Sequence, residues 1–495
     1  MHRRIFAPGA LAAASLLLAV PASAASYTPG APGIGDPYYP YYGNGGYDVS
    51  HYDLRLQYQP ATDELDGTAT ILARTTQDLS RFDLDFLLDV SEVRVNGAKA
   101  AFATSGEHEL EITPKTPLTK GTPVTVVVRY SGVPSTKTAY GFSTWHRTPD
   151  GAVAADEPEA AWWWYPSNDH PLDKATYDVS VAVPDGTQAI SNGTLQSTSS
   201  RLGWTRYTWR QNKPQATYLT TLAVGRFDLT TSTSEGGVPV VNAYSKDLGD
   251  NDGAARASVE RTGEILDWLS GYFGPYPFAS AGGYVPNTTT SYALETQTRV
   301  FYSPKQFANG SNTSVVVHEL AHQWYGDSVS LKDWKDIWIN EGFARYAQWL
   351  WSEHEGEGTA QELADYTYAS HPADDPFWTV APGDPGADNQ FDTAVYDRGA
   401  VAIQALRNEV GDDAFFAILK GWPKEHAYGN ASVTDFRKYA EQVSGKPLAA
   451  LFDTWLFQPA KPAAPAVRGT AGAKVQATPV QPKSWKKIAA TNDAH

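Results

Sequence analysis

Two histidines four positions apart, with a glutamate beside the first, stand at His318-Glu319-Leu320-Ala321-His322. On an α-helix, residues i and i+4 lie one above the other on a single face, so both imidazoles can reach one metal ion. In a chain with 11 histidines among 495 residues, such a pattern is expected by chance roughly 0.01 times. A catalytic zinc takes three protein ligands and keeps one position open, and in a His₂Glu site the third ligand is a carboxylate from elsewhere in the chain. Glu341, in Trp338-Ile-Asn-Glu341-Gly-Phe-Ala, is the candidate. Its neighbours Ile337, Trp338, Ile339 and Phe343 are apolar, a setting in which an unpaired charge is costly. The arrangement predicts one Zn²⁺ per chain on His318, His322 and Glu341. Zinc lowers the pKa of bound water towards about 7, and Glu319 can take the proton as that water attacks a carbonyl, which makes peptide hydrolysis the natural reaction.

The elements that must position these groups are read from changes of hydrophobic period. From residue 52 to about 230, apolar residues alternate, as in Tyr52-Asp-Leu54-Arg-Leu56-Gln-Tyr58 and Tyr177-Asp-Val179-Ser-Val181-Ala-Val183. Period two predicts strands with one buried face, hence an antiparallel β domain. A polar, small run at 230–237 marks a boundary, beyond which the spacing turns helical. Val259, Thr262, Leu266 and Leu269 share the face of one helix ended by Gly274-Pro275. A second helix runs from about 314 to 325, capped by Asn312 or Thr313, and a third from about 337 to 355, closed by Gly356. Asp327, just past the second helix, is a candidate to orient a zinc histidine. Trp162-Trp163-Trp164 reads as a strand packed into a core.

The ends of the chain read differently. Met1-His-Arg-Arg is short and basic, Ala10 to Val20 is apolar, and Ala22-Ser-Ala24 carries small residues, which together predict an export signal over 1–24 and a secreted mature protein. Without Arg3 and Arg4 the chain has 37 basic against 55 acidic residues, a net charge of −18 that argues against nucleic acid. No later run reaches the roughly 18 apolar residues of a membrane-spanning helix, so no transmembrane anchor is expected. The absence of cysteine excludes disulfides, thiol nucleophiles and cysteine ligands. Residues 459–495 are rich in Pro and Ala and carry +5, which predicts a disordered, solvated tail.

His318-Glu-Leu-Ala-His322-Gln-Trp-Tyr-Gly, together with Trp338-Ile-Asn-Glu341-Gly-Phe-Ala, resembles the zinc aminopeptidase family typified by aminopeptidase N, among the gluzincin metallopeptidases. The likeness extends over Tyr272-Phe-Gly-Pro-Tyr-Pro-Phe278 and, more loosely, over residues 164–175. It implies a multi-domain α+β fold: an N-terminal antiparallel, saddle-like β domain over 25–232, then a thermolysin-like, mainly helical catalytic domain over 233–458. The chain resembles a short, secreted, bacterial-type member without the large helical C-terminal domain, and on that expectation the cleft is more open. Tyr396, in Val395-Tyr-Asp-Arg-Gly-Ala400, is similar to the family's Tyr-x-Lys-Gly-Ala, whose tyrosine stabilises the oxyanion. Glu295, in Tyr292-Ala-Leu-Glu-Thr-Gln297, is similar to the glutamate of Gly-x-Met-Glu-Asn, which grips the substrate's α-amine; Tyr292 and Thr296 depart from that pattern. Glu157 resembles the second amine-binding carboxylate.

Two carboxylates near the zinc pair with a free N-terminal ammonium and hold it one residue from the attacking water. The resulting expectation is a monomeric zinc aminopeptidase acting on peptides with a free N-terminus. The alternatives are a thermolysin-type endopeptidase, if Glu295 and Glu157 do not face the cleft, and a catalytically silent zinc-containing binding protein.

Overall fold

The alternation that predicts strands also predicts where one of them must kink. Along Tyr47–Gln59 the buried residues are Tyr47 and Val49, then Tyr52, Leu54, Leu56 and Tyr58, so the buried set changes parity between 49 and 52. The strand absorbs the change with a register shift between Val49 and His51, and every apolar side chain stays on the core face. In this computed structural model, which describes residues 26–464 and 479–490, that strand sits at the centre of an eight-stranded sheet. The order is Thr194–Arg201, Trp204–Gln215, Ala175–Pro184, Tyr47–Gln59, Glu64–Thr75, Pro123–Gly132, Asp89–Val95 and Ala98–Lys99. Neighbours run antiparallel except Tyr47–Gln59 and Ala175–Pro184, which are parallel. Two four-stranded sheets complete the N-terminal domain. Trp162, Trp163 and Trp164 are fully buried in its core, on a short 3₁₀ turn (Ala161–Trp163) rather than a strand.

The second domain opens on a five-stranded sheet ordered Phe227–Thr233, Pro239–Ser245, Gly283–Val285, Val300–Tyr302 and Ala293–Leu294. The boundary expected at 232/233 therefore falls inside a hairpin, since Phe227 pairs with Ser245 and Thr233 with Pro239. The polar run there is an exposed edge strand and its turn, not a linker, and strand pairing moves the junction to just before Phe227. This sheet is buried on both faces: Phe301 packs into the core of the N-terminal domain, while its neighbours Val300 and Tyr302 pack into the helical core. Alternate residues of one strand thus join the two domains.

The helices are α1 (Asp252–Val259), α2 (Thr262–Phe273), α3 (Thr313–His322), α4 (Trp338–His354), α5 (Ala360–Ser370), α6 (Thr393–Val410), α7 (Asp412–Glu425), α8 (Val433–Ser444), α9 (Ala449–Phe452) and α10 (Trp485–Ala489). The single helix expected through Val259 and Leu269 is broken at Glu260-Arg261; Val259 closes α1 and Thr262 opens α2. Among the described residues no helix is long and apolar enough to cross a membrane.

The export signal expected over 1–24 lies outside the described residues. Part of the expected disordered tail does not behave as expected. Residues 479–490 are docked on the helical domain: Ser484 and Ile488 are buried, and α10 packs against α3. Two anchors in an otherwise Pro/Ala-rich stretch outweigh its composition: Ile488 is removed from water, and Trp485 lies edge-on to Tyr366 at 4.9 Å.

Candidate active site

Asn312 begins α3 by accepting hydrogen bonds from the backbone N–H groups of Ser314 and Val315. From Ser314 to His322 every residue of the helix is buried, so its two histidines enter the interior instead of solvent. Helix α4 packs beside it. A close approach of α4 and α6 fixes the height of α4: the Trp338 indole lies in their seam and donates to the Gly399 carbonyl at 3.1 Å. A Cβ added at Gly342 or Gly399 would come within 2.5 or 2.7 Å of that indole. Two glycines thus set the seam that carries Glu341 on one side and Tyr396 on the other.

The three expected metal ligands converge. Glu341 Oε2 lies 3.2 Å from His318 Nε2 and 3.5 Å from His322 Nε2. One ligand atom from each residue falls within 4.8 Å of the others. Their protons are placed by the groups behind them. His322 Nδ1 faces the carbonyl of Tyr325 at 3.0 Å, which can only accept, so Nδ1 carries a proton and Nε2 is the atom left for a metal ion. Gly326, at φ +135°, makes this turn; a Cβ there would lie 3.4 Å from His322 Nδ1. Asp327, the expected orienting residue, does not bond the imidazole; a backbone carbonyl fills that role.

His318 Nδ1 faces Gln348 Oε1 at 3.2 Å. The amide cannot be turned the other way: its Nε2 donates to the Ser314 carbonyl at 3.1 Å, and Arg345 Nη1 donates to Oε1 at 2.6 Å. His318 Nδ1 is therefore a donor as well, and both Nε2 atoms face the Glu341 carboxylate. Burial and the charges of His322 and Arg345 push the His318 pKa down to about 3, so this imidazole is neutral at working pH. Burial opposes ionisation of Glu341, but the positive charge of His322 beside it holds its carboxyl below the ordinary range. Burial opposes charge on His322, but Glu341 and Glu295 raise its pKa well above the ordinary histidine value, so a metal ion must displace a proton from it. A neutral His318, a His322 that yields its Nε2 proton and an ionised carboxylate, all buried, fit a divalent zinc ion in donor type and number.

Around this cluster stand more acids. Glu319, Glu295 and His322 form a second close group, again with one atom from each within 4.8 Å. Burial first, then repulsion from Glu295 and Glu341, pushes the Glu319 carboxyl well above its usual value. Glu157 is likewise raised by burial and by Glu295 and Glu341, which puts it in the field of the same cavity. Tyr396 is buried with its ring 6.0 Å from the His318 ring, and burial and Glu341 hold its hydroxyl protonated. His318, His322, Glu341, Glu319, Glu295 and Tyr396 are thus brought together, with Glu157 near enough to feel the charges of Glu295 and Glu341. Sequence reasoning missed Tyr218, which donates to Glu295 Oε1 at 3.0 Å, and Gln323, whose Nε2 donates to the Glu295 carbonyl at 3.0 Å. Gln323 follows His322 directly and could have been noticed; Tyr218 lies 77 positions from Glu295 and carries no local signal.

The two departures in the 292–297 loop are used locally. The Tyr292 hydroxyl donates to the Ala155 carbonyl at 2.8 Å and lies 2.9 Å from His146 Nε2. Thr296 Oγ1 donates to the Arg299 carbonyl at 2.6 Å. Lys174, buried between the domains, donates to the carbonyls of Asp327 and Ser328 at 2.8 and 3.1 Å, and burial brings its pKa down to about 7.

Residues 49–219 match the peptidase M1 N-terminal domain, and residues 258–455 match the peptidase family M1 domain. In structure the chain is similar to an M1 zinc metallopeptidase from Deinococcus radiodurans, with a TM-score of 0.79 and 30% identity over 88% of this chain and 100% of that one. The chain belongs to the peptidase M1 family. Membership implies one zinc ion per chain, which the donor set at His318, His322 and Glu341 fits. Curated relatives include Aminopeptidase M1 from Arabidopsis thaliana, 27% identical over 83% of this chain and 50% of the relative. Glutamyl aminopeptidase from Bos taurus is 28% identical over 63% of this chain and 34% of the relative. The chain thus spans half or less of the length of these curated relatives. A mutant of the Deinococcus radiodurans enzyme has been solved with a Tyr-Ser-Ala substrate, at a TM-score of 0.79.

Proposed function

We propose that this M1 family chain is an exported zinc aminopeptidase that removes the N-terminal residue from peptides. The observation that carries the reading is the crowding of acids around the metal ligands. Glu295 is buried and Glu157 half-buried, and each is pushed up first by burial and then by the negative charge of neighbouring acids. Such a pair is relieved by a cation, and a peptide's N-terminal ammonium supplies one while placing the first peptide bond beside His318, His322 and Glu341. The export proposal rests on the basic and apolar pattern of residues 1–24.

When bound, the zinc ion supplies Lewis acidity towards water and carbonyl oxygen. Glu319 accepts the proton of the attacking water and returns it to the leaving amine; burial raises its affinity for that proton. The Tyr396 hydroxyl, kept protonated by its surroundings, donates to the oxyanion that develops on the carbonyl. Tyr218 and Gln323 hold Glu295 at the height where it meets the ammonium.

Aminoacyl amides and their N-acetylated forms test the reading. The free amine should be cleaved and the acetylated form should not; equal rates would make the enzyme an endopeptidase instead. Glu319→Gln should retain zinc while kcat falls by about 10²–10⁴-fold, and turnover near that of the unmodified protein would remove Glu319 as the base.

A further inference from the structure

The docked segment at 479–490 reaches the metal site through a continuous chain of hydrogen bonds. The backbone N–H of Lys483 donates to the Glu357 carbonyl at 2.8 Å, and Ser484 Oγ lies 2.7 Å from Ser352 Oγ. Ile488, 1% exposed, closes the contact, and its backbone carbonyl accepts from Arg345 Nη1 at 3.0 Å. Arg345 is fully buried. The same Nη1 donates to Gln348 Oε1, and Nε pairs with Asp397 at 2.9 Å. Gln348 Oε1 in turn accepts from Nδ1 of the metal ligand His318. The guanidinium also lies over the Tyr396 ring, 5.6 Å from its centroid.

We propose that residues 479–490 are a positioning element for the metal site, in which the Ile488 carbonyl fixes Arg345, and Arg345 fixes the Gln348 amide that sets the proton and orientation of His318. The proposal rests on the zinc-binding reading above and goes beyond it, because it gives a catalytic-site role to a part of the chain whose composition reads as a solvated tail. The physical argument is one of donors and acceptors. Arg345 Nη1 has two N–H groups, one directed at Gln348 and one at Ile488, so the segment supplies the second of two fixed points for that end of the guanidinium. With the segment undocked, that N–H must find another acceptor or admit water beside Gln348, and the Oε1 position behind His318 Nδ1 is no longer held from both sides. Partners behind metal-bound histidines characteristically tune metal affinity by about 10–100-fold.

The test is made in the full chain with Ile488→Asp, which puts a charge where an apolar side chain is buried, and with Arg345→Lys, which keeps the charge opposite Asp397 and loses the fork. Two readouts are independent of turnover: the zinc affinity measured by competition with a chromogenic chelator, and the visible spectrum of the cobalt-substituted protein, which reports the ligand field at the metal. Each variant should bind zinc about 10–100-fold more weakly and shift the cobalt bands, and the double variant should be no worse than the weaker single one, because both cut the same chain of bonds. A purely structural role for the segment would give additive losses and an unchanged cobalt spectrum. Affinity within twofold of the unmodified protein, with superimposable cobalt spectra, overturns the proposal. If Ile488→Asp does not fold, a chain ending at residue 478 is read in the same way. His318→Ala is the control for the underlying reading: if zinc persists in that variant, the metal site has been wrongly placed, and this result is distinct from failure of the segment's role.

Discussion

At Asp85, His108 and Glu109, in the N-terminal domain, an imidazole nitrogen lies 3.2 and 3.7 Å from two carboxylate oxygens, nearly the 3.2 and 3.5 Å found at His318, His322 and Glu341. Both groups are buried, and by spacing alone both could hold a metal. They differ in where the protons sit. His318 and His322 spend Nδ1–H on acceptors behind them and turn their Nε2 atoms to the carboxylate. His108 Nε2 itself faces the Tyr41 carbonyl at 3.0 Å, so the nitrogen nearest the carboxylates carries a proton. Burial opposes charge on His108, but the hydrogen bond and field of Asp85 outweigh it and raise its pKa. Glu109, buried and repelled by Asp85 and Asp83, is pushed up to about 9 and is neutral at pH 7. One cluster leaves the Nε2 atoms of two imidazoles for a cation; the other commits the nitrogen nearest its carboxylates to an N–H directed at a backbone carbonyl. Proximity of ligand-type atoms is therefore insufficient, and the acceptor on the far side of each imidazole decides between them.

The sharpest test of this contrast is metal content. His322→Ala should lower bound zinc from one per chain to background and abolish turnover, whereas His108→Ala should leave one zinc per chain; loss of a second metal ion on replacing His108 would break the distinction. Next in size, Tyr396→Phe should reduce kcat by about 10²–10³-fold with full zinc occupancy, as measured on metal-analysed protein. In the N-terminal cluster the expected loss is of stability, not of metal: Asp85→Asn removes the carboxylate beside the buried His108 N–H and should cost about 1–3 kcal/mol in denaturant unfolding. The smallest effect is a pH dependence. Glu109 and His108 both bind their protons more tightly in the folded state, so the stability they confer is complete at low pH and is lost for Glu109 as pH climbs from about 4.5 to about 9. Glu109→Gln removes that dependence, so melting curves across this range should show the variant gaining a few degrees on the unmodified protein at the alkaline end. Parallel curves would show that Glu109 is ionised.

Much of the catalytic cluster was legible because its chemistry is tied to local spacing. Two histidines at i and i+4 with an intervening glutamate define a face of α3 before any tertiary contact is known, and Glu341 announces itself by being an acid among apolar residues. Asn312 could be read as a cap for the same reason. Groups defined by contact were not legible. The acceptor behind His322 is a main-chain carbonyl, which has no residue type to notice, so attention fell on Asp327. Tyr218, Arg345 and Gln348 look like ordinary members of their elements until α3, α4 and the 292–297 loop are assembled. The 230–237 run misled because an exposed edge strand and a linker share a composition. The tail misled because disorder is inferred from averages over a window, whereas docking was decided by a few residues, Ser484, Trp485 and Ile488 among them.

The bond from the Tyr292 hydroxyl to the Ala155 carbonyl crosses from one domain to the other. Glu157 hangs from the N-terminal side of that crossing and Glu295 from the catalytic side, so on the proposed reading the ruler that measures one residue from a peptide's end has its two marks on separate domains. On that reading a tilt between the domains would change which bond is presented before it disturbed His318, His322 and Glu341. Fidelity to the first residue is in this sense a property of the seam.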